Sequence, residues 1–366
     1  MPPSPQDPTV RSLEVSAYTV PTDQPEADGT ITWDSTSLVV VEPTAEGVTG
    51  LGWSYTSPHA VGLVRDVLAQ CVVGADALDV RGHQETMRRR VRNIGYRGLA
   101  ANAISAVDIA LWDLKAKLLG QPLAKVLGRW TPTLPIYGSG GFTTYDAQRT
   151  SEQLGRWVHE LGIPRVKIKI GESWGSDEQR DLDRIGLARS VIGPDTELFV
   201  DANGGYGAGQ AVRMAHAMES ERVTWFEEPV SSDDERGLAL VRGQVLPDVA
   251  AGEYVFDEID ALRLCRAGAV DCLQLDVTRC GGVTGWLQAA AVAAAHCVPL
   301  SAHCAPNLHA AFVGAVPKVR HLEYFHDHAR IEDMLFDGAL DPAGGSLTPS
   351  TERPGLGLEL RRSDAE

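Results

Sequence analysis

From about residue 135 the chain repeats one unit, a short apolar run ending in a polar residue and followed by a stretch with helical periodicity. The runs are PIYGSGG, RVKIKIG, ELFVDANG, VTWFEEP, DVAAGEY, VDCLQLD, VPLSAHC and HLEYF. Intervening segments such as residues 177–192, 210–220 and 282–297 fit amphipathic or buried helices. Strands separated by helices pair in parallel, and eight such units match a closed barrel better than an open sheet. An open doubly wound sheet would want a glycine-rich phosphate loop after its first strand. YGSGGF lacks the third glycine and the acidic partner of that motif. The expected class is α/β, a (β/α)7β-type TIM barrel.

The part before the repeat has a different texture. Residues 11–20 and 37–42 are β-branched runs, and EGVTGLGW after them predicts an antiparallel strand pair. Residues 19–34, rich in Pro, Asp and Thr, predict a polar loop. Residues 102–119 predict a helix, with Ile104, Val107, Leu111, Leu114 and Leu118 on one stripe and Gly120 and Pro122 ending it. The 366 residues therefore divide into an α+β region, residues 1–130, a barrel, residues 131–345, and a last segment, residues 346–366.

Composition narrows the partners. With 33 basic and 49 acidic residues the net charge is −16, the acids spread along the chain, which argues against nucleic acid and anionic membranes. At 43% hydrophobic residues the chain can bury a substantial core. The six cysteines show no CxxC pairing and are expected to be buried thiols in a reducing compartment. The opening MPPSPQDPTV has no basic region followed by an apolar stretch, so no secretory signal is expected. Its four prolines predict a loose arm. Residues 287–300 are too short and too interrupted to span a bilayer. A soluble, cytoplasmic protein is expected.

A barrel places its chemistry at the C-terminal ends of its strands. There this chain carries Lys167 and Lys169, then Asp201, Glu227, Glu253, Asp276, His303 and Glu323. Asp201, Glu227 and Glu253 stand 26 residues apart, one βα period each. Three converging carboxylates repel one another unless a cation lies between them, the alternative being a salt-bridged barrel mouth. Ligation by oxygen alone suits a hard dication, Mg2+ first and Mn2+ second. Glu228, next along the strand, is expected to point to the opposite face. Lys167 and Lys169 share a face. A neighbouring ammonium and a metal ion would lower a lysine pKa from roughly 10.4, letting one act as base while the other holds an anion. Asp276 would fix the tautomer of His303 and raise its basicity. Glu323 could stay protonated and donate to an oxyanion. Together these groups suit removal of the proton α to a carboxylate and stabilisation of the enediolate.

The residues VKIKIG, FVDAN, WFEEP, AGE, LDVTRCGGVTGW and SAHC resemble the enolase superfamily, specifically its mandelate racemase subgroup. The likeness extends to AISAVDIALWDLKAKLLG and RPGLGLE, nearly the whole chain. It implies Lys169 as the base on one face and His303 with Asp276 as acid/base on the other. It further implies Lys167 on the substrate carboxylate, Glu323 on the enediolate oxygen and Asn203 on a substrate hydroxyl. One Mg2+ would be held by Asp201, Glu227 and Glu253. The α+β region, completed by the C-terminal tail, would cap the barrel, and relatives are commonly symmetric homo-oligomers.

The same resemblance turns the 19–34 loop, with Thr22 and Trp33, and residues 53–57 towards the substrate. Their polarity points to a polyhydroxylated acid, and their acids disfavour a second substrate carboxylate. Dehydration of a sugar acid to a 2-keto-3-deoxy acid is the leading expectation. Racemisation, epimerisation or cycloisomerisation shares its first half-reaction, and a non-catalytic sugar-acid binding barrel would have a damaged constellation.

Overall fold

The structure, a computed structural model, describes residues 7–362. The expected loose arm falls mainly outside that range. Where it is described, from residue 7, it is pinned: Val10 is fully buried and exchanges backbone hydrogen bonds with Ala75 and Gly74.

The N-terminal region is an antiparallel sheet of β1 (Ser12–Ala27), β2 (Thr32–Ala45), β3 (Val48–Thr49) and β4 (Gly52–Tyr55). The polar loop expected over residues 19–34 is instead mostly strand, a long β1–β2 hairpin. Cross-strand pairing of its Thr, Val, Ile and Trp side chains overrides a turn-like composition. The register jumps from Pro21↔Ser35 to Glu26↔Trp33, so the intervening residues of β1 form a bulge. The turn is tied by the Asp28 carboxylate, which accepts from the amides of Thr30 (2.6 Å) and Ile31 (2.9 Å). The EGVTGLGW segment forms strands as expected, turning at Glu46 and Gly47.

The sheet lies on the helix Leu99–Leu118, whose Ile104, Val107, Leu111 and Leu114 are fully buried. Contact is closest at Gly52, where a Cβ would come within 2.3 Å of the Ala110 nitrogen and 2.5 Å of the Ala106 oxygen. Both are backbone atoms, so neither can swing aside. Gly52→Ala is therefore expected to lower stability by about 1–3 kcal/mol, read as a lower urea midpoint with an unchanged m-value. The buried Asp113 on the same helix accepts from the amides of Leu51 (2.7 Å) and Leu356 (2.6 Å), joining cap sheet, helix and C-terminal segment.

The barrel is formed by β5 (Leu134–Gly140), β6 (Arg165–Lys169), β7 (Glu197–Asp201), β8 (Val223–Glu227), β9 (Asp248–Ala251), β10 (Cys272–Leu275), β11 (Leu300–Ala302) and β12 (Val319–Phe325). All eight pair in parallel, and β12 closes onto β5 through Leu322↔Ile136 and Glu323↔Tyr137. Each run picked out in the sequence holds one strand, with a helix in every interval and another, His326–Leu335, after β12. Short strands β13 (Phe336–Asp337), β14 (Ser346–Leu347) and β15 (Glu359–Leu360) dress the outside; β14 lies antiparallel on β5, and β15 on β13.

Inside the barrel Tyr137, Phe199 and Trp225 pack with Ala250 and Cys272 into an aromatic floor. All six cysteines are free. Four are buried and Cys71 is half-buried, but Cys297 is exposed, because the chain turns outward there just past the helix Gly282–Ala295. No helix among the described residues is long and apolar enough to cross a membrane.

Candidate active site

Parallel pairing sets the site level by level. Lys169, Asp201 and Glu227 are in register on β6, β7 and β8. One level down, Lys167 lies beside Phe199 and Trp225, with its Nζ 5.4 Å from the centre of the Tyr137 ring. The other groups sit at or just beyond the strand ends, Glu253 after β9, Asp276 after β10 and His303 after β11, with Glu323 inside β12.

Asp201, Glu227 and Glu253 each present a ligand atom, all within 4.8 Å of one another, and all three residues are buried. Lys169 donates to Asp201 Oδ2 at 2.5 Å, and Lys167 lies 2.6 Å from Glu227 Oε1, 2.8 Å from Glu323 Oε1 and 3.5 Å from Asp201. Trp225 Nε1 donates to Glu227 Oε2 at 2.9 Å. Burial alone would lower both lysine pKa values, but the adjacent carboxylates, Asp201 for Lys169 and Glu227 for Lys167, outweigh it and raise them.

Glu228 also departs from expectation. The strand ends at Glu227, and Glu228 takes φ +36°, so it does not follow strand alternation. Its buried carboxyl is near enough to Glu253, Asp201 and Glu227 to feel their charge. Burial first, then those like charges, push its pKa far up, and burial and Asp201 push Glu227 to about 8. Glu228 Oε1 and Glu253 Oε2 are buried without a hydrogen-bond partner. Four carboxyls facing two ammonium groups, two of them held back from ionising, form a donor set short of positive charge. An oxygen-liganded dication fits that deficit.

Opposite, Asp276 Oδ2 lies 2.9 Å from His303 Nδ1, leaving Nε2 towards Glu253 Oε2 at 3.3 Å. Burial disfavours imidazolium, yet Glu253, Glu323 and Asp276 together raise the His303 pKa. Asp276 is held far below the ordinary carboxylate range, against its burial, by the His303 hydrogen bond and Arg279. Arg279 belongs to the LDVTRCGG stretch, where the sequence alone assigns it no role. It lies one helical turn past Asp276 and joins the two halves, 3.0 Å from Glu253 Oε1 and 3.5 Å from Asp276 Oδ2. Its signal was a cation three residues beyond a strand-end acid.

Glu323 is not the protonated donor expected from sequence. It accepts from Ser139 Oγ (2.6 Å) and the Cys304 amide (2.9 Å) and pairs with Lys167. Burial would raise its pKa, but Lys167 and His303 hold it well below the usual range, so it is a carboxylate.

Above these groups lies a cavity of about 520 Å3, lined from the barrel by Lys169, Asn203, Glu253, Arg279 and His303, and from the cap by Trp33 and hydroxyl groups. Asn203, at φ +44°, has a buried side-chain Oδ1 with no partner. Trp33 is held by its indole N–H donating to the buried Glu26 at 3.0 Å and packs edge-on against Phe142. Thr22 does not line the cavity. It lies in the β1 bulge between Pro21 and Glu26, a displacement that composition does not reveal. Trp53 is likewise absent from the cavity, buried and stacked on Phe336, whereas Tyr55, Thr56 and Ser57 line it.

Known proteins share this architecture. Residues 12–128 match the family described as mandelate racemase / muconate lactonizing enzyme, N-terminal domain, and residues 149–365 match enolase C-terminal domain-like. The chain is 32% identical over 320 residues to 3,6-anhydro-alpha-L-galactonate cycloisomerase of Streptomyces coelicolor, covering 86% of each protein. A mandelate racemase/muconate lactonizing enzyme-like protein from Rubrobacter xylanophilus superposes with TM-score 0.94 at 50% identity, covering 98% of this chain and 99% of that one. L-Talarate dehydratase from a Polaromonas species, solved with Mg and L-glucarate, superposes with TM-score 0.87 at 29% identity, covering 97% and 95%.

Proposed function

Since this chain belongs to the mandelate racemase / muconate lactonizing enzyme family of the enolase superfamily, whose members are lyases and isomerases, we propose that it dehydrates a sugar acid to a 2-keto-3-deoxy acid. The observation that carries this reading is the placement of Lys169 and His303. They line one cavity from strands three positions apart around the eight-stranded ring, beside the Asp201, Glu227 and Glu253 group. In this reading residues 1–130 and 346–366 cap the barrel of residues 131–345.

Lys169 acts as the neutral amine: its Nζ lone pair takes the α-proton, and the electrons of that C–H bond form the enediolate. Asp201, Glu227 and Glu253 would hold a Mg2+ ion, with Mn2+ as a substitute, which would supply positive charge to offset that on the substrate carboxylate and to disfavour the charged form of Lys169. Lys167 remains an ammonium that holds that carboxylate. His303, charged and oriented by Asp276, gives its Nε2 proton to the β-hydroxyl, which leaves as water while the C–O bond breaks. The enol then tautomerises to the keto acid. Glu323, being ionised, acts through Lys167 and His303 instead of donating to oxygen. Asn203 Oδ1 accepts from a substrate hydroxyl, and Trp33 closes the distal wall.

The cap side presents Ser35, Thr36, Ser37, Thr56 and Ser57, suited to hydroxyl groups. The basic lining residues are committed: Lys169 to Asp201, Arg279 to Glu253, and His303 to Asp276, while burial holds the His328 pKa down at about 3. Among the described residues that line the cavity no cation is left for a second carboxylate, which favours aldonates over aldarates. The second reading is cycloisomerisation, favoured by the name of the 32% identical relative. It would use the same proton abstraction with a ring oxygen as leaving group.

A panel of aldonic and aldaric acids assayed for keto-acid formation with Mg2+ tests this reading. Conversion of an aldonate, abolished by EDTA and restored by Mg2+, is the expected result. Chelator-insensitive turnover, or deuterium exchange without keto acid from any substrate, would sink dehydration.

A further inference from the structure

We infer that His303, Cys304 and Glu323 form a second metal site, selective for thiophilic dications such as Zn2+ and Cd2+, whose occupation inhibits the enzyme. Cys304 Sγ lies 3.3 Å from His303 Nε2, and Nε2 lies 3.8 Å from Glu323 Oε2. One ligand atom from each residue falls within 4.8 Å of the others. Tetrahedral zinc, with Zn–S about 2.3 Å and Zn–N about 2.0–2.1 Å, sets sulfur and nitrogen about 3.5 Å apart, close to the separation found.

Adjacent residues on a strand point to opposite faces, so this convergence needs a break. Cys304 and Ala305 supply it with φ of +53° and +40° just after β11, which turn the thiol back beside the imidazole. Asp276 occupies Nδ1 and leaves Nε2 as the ligand nitrogen, the orienting contact that metal-binding histidines commonly have. A further donor is at hand. Glu253 Oε2 lies 3.3 Å from Nε2, belongs to a residue 4% exposed, and has no hydrogen-bond partner. His303, Cys304 and Glu253 all line the cavity, so an ion reaches them through its mouth.

Ligand softness separates this site from the neighbouring one. Asp201 and Glu227 offer only hard oxygen, whereas thiolate and imidazole favour zinc and cadmium. Binding forms a metal–sulfur bond and releases the thiol proton, and a charged His303 releases its Nε2 proton as well. The ion thereby takes the nitrogen assigned above as proton donor. Inhibition rests on that assignment, but the binding site does not.

Cadmium titration of the magnesium-loaded protein is expected to raise an ultraviolet thiolate-to-cadmium charge-transfer band saturating at one ion per chain. The band should persist in Cys297→Ser, which removes the one exposed thiol, and disappear in Cys304→Ala. In His303→Gln, which keeps the thiol, cadmium should bind at least about ten-fold more weakly. A band that survives Cys304→Ala, vanishes with Cys297→Ser or is indifferent to His303→Gln overturns the site. For inhibition, zinc should be at least about ten-fold less potent on Cys304→Ala than on the natural chain, and equal potency overturns that part. The cadmium band needs no turnover, so it decides the site even if no sugar acid is converted.

Discussion

Lys169→Ala is expected to abolish both α-deuterium exchange and keto-acid formation, lowering kcat/KM by about 10³-fold or more. His303→Asn should lose keto-acid formation to a similar degree while exchange at the α-carbon continues. The asymmetry follows from the geometry, with the two groups entering one cavity from β6 and from the end of β11. If Lys169 removes the proton, solvent deuterium reaches the α-carbon through its Nζ whether or not the β-hydroxyl departs. Lys169→Arg is the control that separates base from ion pair. Its guanidinium keeps a cation against Asp201 but does not give up its proton, so it should be as inactive as alanine. Activity retained in the arginine variant would remove Lys169 from the role of base. Loss of exchange in both Lys169→Ala and His303→Asn would point instead to a two-base isomerase.

Asp201→Asn is expected to abolish Mg2+ binding and lower turnover by about 10³-fold, corresponding to several kcal/mol of lost charge stabilisation. Asp201 is central because it is in register with both Lys169 and Glu227 and contacts Lys169 and Lys167. A readout independent of turnover is available. A ligand bound only by the folded chain stabilises it by about 2.7 kcal/mol at 100 times its Kd. Magnesium should therefore raise the melting temperature of the chelator-treated natural protein, by relieving the crowding of Glu227, Glu228 and Glu253, and leave the variant unmoved. An undiminished magnesium response in Asp201→Asn would place the ion elsewhere.

Much of this was legible along the chain because a βα barrel is periodic. Each strand ends at the same mouth, so linear position after an apolar run translates directly into position in space. That is how Asp201, Glu227, Glu253, Asp276 and His303 could be picked out together. The failures occur where periodicity stops. Strand alternation puts Glu228 on the far face only if it continues one residue past the end of the strand, and it does not. Thr22 leaves the cavity through a bulge that nothing in composition announces. Strand position alone leaves Glu323 free to stay protonated, because its three partners, Ser139, Lys167 and the Cys304 amide, come from three other strands or strand ends.

The sequence by itself thus determined the barrel, the level at which its charges lie and the hard, oxygen-only character of one ligand set, all properties of a repeating local pattern. Only the tertiary structure decided the ionisation of those charges, the clamp of Arg279 between Glu253 and Asp276, and the meeting of Cys304 with His303. These depend on separations of about 3 Å between groups on different strands or at a left-handed turn, where Coulomb energy and desolvation change steeply with distance.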